Sequence, residues 1–219
     1  MKQLYSLFLS TALMGLTTFT LIPVAIAAEE LDSIEAATAG ARVYEGFFDF
    51  YYQASNGTVL VEIDEWDKEF LYTNSLATGI GSNDIGLDRG QLGSGRVVKF
   101  ERHGDKVFLK HINLQYRAQS DNELEQLAVE EAFAESILWG FTVAAQTGER
   151  VLVDATDFLL TDVHGISNTL TAREQGSYSV DKSRSAIYLP RTKNFPLNTE
   201  FEAQLTFTSA RGGNLVRTV

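Results

Sequence analysis

Apolar side chains recur at every second residue in several separate stretches of this chain. That spacing lines them up on one face of an extended strand rather than along one side of a helix. Phe48, Phe50 and Tyr52 point one way while Phe47, Asp49 and Tyr51 point the other. Ser55-Asn56-Gly57 then supplies a backbone tolerant of positive φ, and Val59, Val61 and Ile63 resume the alternation, which predicts a β-hairpin. A third strand is expected from Glu69 to about Leu76. Two further hairpins are expected: Arg96–Arg102 with Lys106–Ile112 around Gly104-Asp105, and Phe141–Ala145 with Arg150–Val153 around Thr147-Gly148-Glu149. In the first of these, Val98 and Phe100 are placed opposite Val107 and Leu109. Near the end, Phe201, Ala203, Leu205 and Phe207 alternate with Glu202, Gln204, Thr206 and Thr208, as in a half-buried strand.

The period changes between Asp121 and Leu138. Leu124, Leu127, Ala128, Ala134 and Leu138 fall near one helical face, and Val129, Phe133 and Ile137 occupy an adjoining one. Asp121 or Asn122 can cap the first turn, and Glu123 and Glu125 sit where the helix dipole favours anions. Two apolar faces predict a helix wedged between sheets or under a loop. A shorter helix is expected over Phe158, Leu159 and Leu160, halted near His164-Gly165, and a turn or two between Leu31 and Ala39, stopped by Gly40. The fold class is therefore α+β, predominantly antiparallel β-sheet with one long helix and one short helix. The polar stretch from Ser167 to Ser185 receives no assignment. The segment GIGSNDIGLDRGQLGSG holds six glycines between Gly79 and Gly95, too long and too glycine-rich for a simple connection.

Residues 1–28 carry one side-chain charge, Lys2, then an uncharged stretch ending in Pro23-Val24-Ala25-Ile26-Ala27-Ala28. Small residues at Ala25 and Ala27 and the return of charge at Glu29 and Glu30 fit a secretory signal peptide cleaved after Ala27. The alternative, an uncleaved anchor, is opposed by Pro23 and the interrupting Thr and Ser residues. This organisation reads as a signal peptide at 1–27, a short linker or helical lead-in at 28–45 and a β-rich module at 46–219. Membrane contact would be transient, through the signal peptide, and the destination periplasmic or extracellular. Beyond Phe207 a Gly212-Gly213 turn and a new apolar start at Leu215-Val216 precede Val219. We expect a module incomplete at its C-terminal end, in a polypeptide that continues.

Composition narrows the chemistry. The net charge is −11, or −12 without Lys2, and no run of Lys or Arg interleaved with aromatics offsets it, so nucleic acid is excluded as a partner. With no cysteine, disulfides, thiol nucleophiles, thiolate-held metals and a lipid-bearing cysteine are excluded too, and an exported domain of this kind must be held by its core.

Of the three histidines, His103, His111 and His164, none begins an HExxH. His103 and His111, on adjacent expected strands, could approach each other but lack a third ligand. Asp84 and Asp88 have the composition of a calcium loop without its alternating acidic positions. Gly93-Ser94-Gly95 is not a nucleophile elbow, and GIGSND lacks the third glycine of a dinucleotide fingerprint. No catalytic, cofactor-binding or metal-binding residue is assigned.

The strings GFFDFYY with VLVEI, EFLYTNSLATGIGSNDIGLDRGQLG, RVVKFER, ESILWGFTVAAQTGERVLVDATDFLLTD and SRSAIYLPRTKNFPLNTEFEAQLTF together resemble the N-terminal domains of unknown function that precede the catalytic domain of bacterial zinc-dependent metallopeptidases of the Met-zincin type. The resemblance implies a noncatalytic N-terminal portion of such an exported peptidase. Its partner would be its own downstream domain, and zinc would be held there by an HExxH absent from this chain. No catalytic residue of that family carries over. Asp88 and Arg89, in the glycine-rich loop, become candidates for the interdomain contact, with a self-contained loop holding an internal ion pair as the alternative. Two other roles share this sequence. One is a stand-alone periplasmic or secreted binding module using Phe47, Tyr51 and Tyr52; the other is an intramolecular chaperone or inhibitory segment.

Overall fold

The computed structural model describes residues 31–216, so the expected signal peptide and its cleavage point lie outside the described residues. Eight strands form one antiparallel sheet: β1 (Arg42–Tyr44), β2 (Phe50–Gln53), β3 (Thr58–Ile63), β4 (Phe70–Tyr72), β5 (Arg96–His103), β6 (Lys106–His111), β7 (Ser136–Thr147) and β8 (Arg150–Asp154). Their order across the sheet is β1-β2-β3-β8-β7-β6-β5-β4. Arg42–Tyr44 pairs with Phe50–Tyr52, so the sheet begins inside the stretch expected to be linker. The expected hairpins are present, with Phe100 opposite Leu109, although Val98 meets His111 and Val107 meets Arg102.

The front of the sheet carries the alternating residues: Phe50, Val59, Ile63, Val98, Val107, Val151 and their neighbours are nearly or wholly buried. Each such side chain contributes roughly 1.5–3 kcal/mol of transfer free energy. This core is closed by α3 (Thr156–Leu159), whose Phe158 ring lies 5.7 Å from both Trp139 and Phe141, and by Ile187 and Phe201 from the C-terminal region. On the back, α1 (Ile34–Ala37) places Ile34 against Leu60, Ala145 and Leu152.

The long helix is shorter than its periodicity predicts. Helix α2 spans Glu123–Ala132 only, and residues from Ser136 onward belong to β7, pairing with β6 from Ser136↔His111 to Thr142↔Lys106. Strand pairing wins here because it satisfies the backbone of Ser136–Gly140 against β6 and packs Leu138 and Trp139 on the core. Register shifts opposite Leu109/Lys110 and between Val143 and Ala145 turn Ile137 and Ala145 to the back while Trp139, Phe141 and Val143 stay at the front.

The C-terminal strand is also broken up. Instead of one strand through Phe207, β13 (Ala203–Gln204) pairs with β10 (Ala186–Ile187), and β14 (Phe207–Thr208) pairs with β9 (Ser179–Val180). The 3-10 turn Lys182–Arg184 separates the two partner strands, and Thr206 fills the gap by donating its hydroxyl to the Arg184 carbonyl and its N–H to Ser185 Oγ. A small hairpin, β11 (Lys193–Phe195) with β12 (Asn198–Glu200), is fixed to the start of β2. Asn194 donates to the carbonyls of Tyr44 and Phe48 at 2.7 Å. Gly46 makes room, since a Cβ there would lie 2.3 Å from the Asn194 side chain.

Within the unassigned polar stretch, α4 (Ile166–Ala172) forms because Asp162 caps it, accepting from the N–H groups of Ile166 and Ser167 at 2.8 Å. Its Ile166 and Leu170 make a second, smaller core with Leu76 and with Ile85 and Leu87 of the glycine-rich loop. Leu215 and Val216 join this core rather than start a strand. At Gly81 (φ +67°) a Cβ would fall 2.6 Å from the Leu215 carbonyl oxygen, which accounts for a glycine there.

Candidate interaction surface

The open part of the molecule is the back of β5, β6 and the first half of β7. There Lys99, Glu101, Lys110 and Ile137 stand where the other half of the sheet carries buried Leu60 and Leu152. The charges pair among themselves. Lys110 Nζ lies 2.8 Å from both Glu101 and Glu135, Lys99 lies 3.0 Å from Asp67, and Glu101 also accepts from His103. The Lys110 hydrogen bond, aided by His103, holds the Glu101 carboxyl below the usual carboxylate range. Glu101 first and Glu135 second push the Lys110 ammonium up.

Over this face stands α2. Asn122 caps it, its Oδ1 accepting from the Leu124 N–H at 3.0 Å, and Glu123 and Glu125 occupy its first turn as the sequence predicts. No residue of the helix is buried, however, so the expectation of a helix wedged between layers is not met. Between helix and sheet runs a groove of roughly 760 Å³ whose lining includes Lys110, Tyr116, Gln126, Val129, Phe133 and Ile137. The rings of Tyr116 and Phe133 stack at 3.9 Å, joining the end of α2 to the loop after β6.

Exposed apolar residues concentrate here. Among the described residues, thirteen large hydrophobic side chains are well exposed, and six of them (Leu114, Tyr116, Leu124, Leu127, Phe133 and Ile137) fall in this one segment. Single exposed hydrophobics are ordinary, but a cluster marks a contact surface. The sequence carries this signal as a helix with two apolar faces, a pattern that predicts burial, whereas the structure leaves those residues exposed.

Asp88 and Arg89 lie exposed on the glycine-rich loop, which folds back on itself: Leu76 N–H donates to the Gln91 carbonyl and Ile80 N–H to that of Leu87. Neither residue forms an ion pair among the described residues. His164 bridges this loop to the α3–α4 connection, its ring nitrogens 3.1 Å from Asn74 Nδ2 and 3.4 Å from Gln91 Oε1. His103 and His111 do not approach each other, because the register places His103 opposite Lys106 and His111 opposite Val98, at the two ends of the hairpin. Asp84 lies in a 3-10 turn capped by Ser82. Among the described residues no group of three or more His, Cys, Asp or Glu is arranged to hold a metal ion, and no helix there is long and apolar enough to cross a membrane.

The aromatics considered for a binding module are half-buried. Phe47 packs edge-on against Phe48 and Phe70, and the Tyr51 hydroxyl donates to buried Glu62 at 2.8 Å. They are engaged within the fold, Phe47 with neighbouring rings and Tyr51 across β2 and β3, rather than a row presented to solvent.

Residues 90–218 match the model of a domain of unknown function, DUF5117. The chain belongs to this family. No curated protein matches the chain, and no solved structure does. The DUF5117 match takes in β5 to β14, the groove and α2, whereas Asp88, Arg89 and the first four strands precede it.

Proposed function

We propose that this DUF5117 chain is the noncatalytic N-terminal portion of an exported zinc-dependent metallopeptidase, a β-sheet support that packs against a downstream HExxH domain. The observation that carries the packing role is the open back of β5–β7, where the exposed side chains of Tyr116, Phe133 and Ile137 line a groove between α2 and the sheet. The peptidase role is supported by the GLDRGQLG and VLVDATDFLL strings described above. In this reading zinc and the catalytic base belong to the downstream domain, and Asp88 and Arg89 supply part of the interdomain contact.

The test compares the product of the whole gene with the 219-residue chain, each freed of other proteases. Chelator-sensitive peptide hydrolysis is expected from the first and none from the second. Hydrolysis by the 219-residue chain alone, or a whole gene product without zinc-dependent activity, would overturn the proposal. Arg89→Ala in the whole product is expected to lower activity, and unchanged activity would remove Arg89 from the contact.

A further inference from the structure

Ten residues are too few for a helix to be stable in water by propensity alone, so most short helices persist by burying a face. Helix α2 buries none of its residues. Its side turned toward the groove carries Gln126, Val129, Glu130 and Phe133. The opposite side, by the 100° step of a helix, carries Leu124, Leu127, Ala128 and Glu131. Leu124 is 74% exposed and Leu127 46%. These two leucines, three residues apart, make with Ala128 a small apolar patch bordered by Glu123, Glu125 and Glu131.

Charge selects the other half. From Leu114 to Ile137 six carboxylates (Asp121, Glu123, Glu125, Glu130, Glu131 and Glu135) stand against one cation, Arg117. A second copy would bring acid against acid, and an anionic lipid surface would be repelled in the same way. We infer that α2 is one half of a docking site whose occupant is a basic amphipathic helix of a partner protein, its leucine-type residues on Leu124, Leu127 and Ala128 and its Lys or Arg against Glu123, Glu125 and Glu131. The helix-on-helix mode gives such a contact both affinity and sign selectivity. This inference concerns the face of α2 turned away from the groove and stands independently of the proposed function.

The test uses the 219-residue chain and a synthetic helical peptide made only of Leu and Lys, with Leu at i, i+3, i+4 and i+7, titrated by calorimetry. A peptide of the same charge with Ala in place of Leu is the control. The Leu/Lys peptide is expected to bind, less tightly as salt is raised, and the Ala/Lys peptide at least about tenfold more weakly. The double variant Leu124→Asp/Leu127→Asp adds two negative charges at exposed positions. It is expected to keep the fold, checked by circular dichroism, and to lose at least about tenfold in affinity. Equal or tighter binding by that variant would show attraction by charge alone and overturn the inference. So would association of the unliganded chain that the variant abolishes, or binding to anionic vesicles in preference to the peptide. Peptidase activity does not enter this readout, so the two proposals fail separately.

Discussion

The back of the sheet is closed over β3 and β8 and open over β5 and β6, although one strand, β7, runs through both regions. In the closed half α1 seats Ile34 on Leu60, Ala145 and Leu152. It is pinned there by its own backbone, with Ile34 N–H donating to Thr147 Oγ1 at 3.0 Å and the Ala37 carbonyl accepting from Gln53 Nε2. Beside it Glu62, 6% exposed, accepts from Tyr51 and from Arg150, and Arg150 reaches on to Glu35. In the open half the same face carries charged pairs and a helix without a fully buried residue, Val129 alone being half-buried. A four-residue helix with one buried isoleucine is thus better anchored than a ten-residue helix with several exposed apolar residues. Burial, not length or propensity, decides which helix is part of the fold and which is offered to something else.

The largest effects should fall in the closed half. Ile34→Ala is expected to destabilise by about 2–5 kcal/mol, measured by urea denaturation with an unchanged slope. A loss below about 0.5 kcal/mol would mean that α1 does not close the sheet. Glu62→Ala leaves the Tyr51 hydroxyl without its acceptor and Arg150 without its nearest carboxylate, and is expected to cost about 1–3 kcal/mol. A neutral outcome would show that solvent reaches this network.

A smaller effect comes from pH. Burial first, and the bond to Glu62 second, raise the pKa of the Tyr51 phenol. The folded protein keeps this proton where an unfolded tyrosine, with a pKa of about 10, gives it up. The contribution is complete below about pH 10 and is lost as pH rises toward the folded-state value. Melting temperature should therefore fall less steeply above about pH 10 in Tyr51→Phe than in the parent; identical slopes would place the tyrosine in water. The smallest effect belongs to the open half, where Leu124→Ala is expected to change stability by no more than about 0.5 kcal/mol. A larger loss would mean that Leu124 is already covered.

Much of the sheet was legible because period-two alternation and turn residues state both strand and face. Val59, Val61 and Ile63 needed no tertiary information to be placed on one face of their strand. What escaped depended on contacts distant in sequence. The two register shifts of β7 turn Ile137 and Ala145 to the back, and the sequence does not show them: Phe133, Ala134, Ile137 and Leu138 continue the helical spacing of α2. Strands β9 to β14 are two or three residues long, too short for any period, and exist because side chains such as Asn194 and Thr206 bridge between them. The aromatics Phe47 and Tyr51 looked available because alternation fixes a face without saying what lies on it. The candidate surface was visible only as surplus apolar residues in α2, which sequence alone assigns to a core.

The most direct test of the contrast between the halves is native-state hydrogen exchange on the isolated chain. The amides within α2 should exchange far faster than those of β3 and β8, the first by local opening and the second only through global unfolding. Protection of α2 equal to that of β8 would contradict the account, since it would require a buried face that α2 does not have.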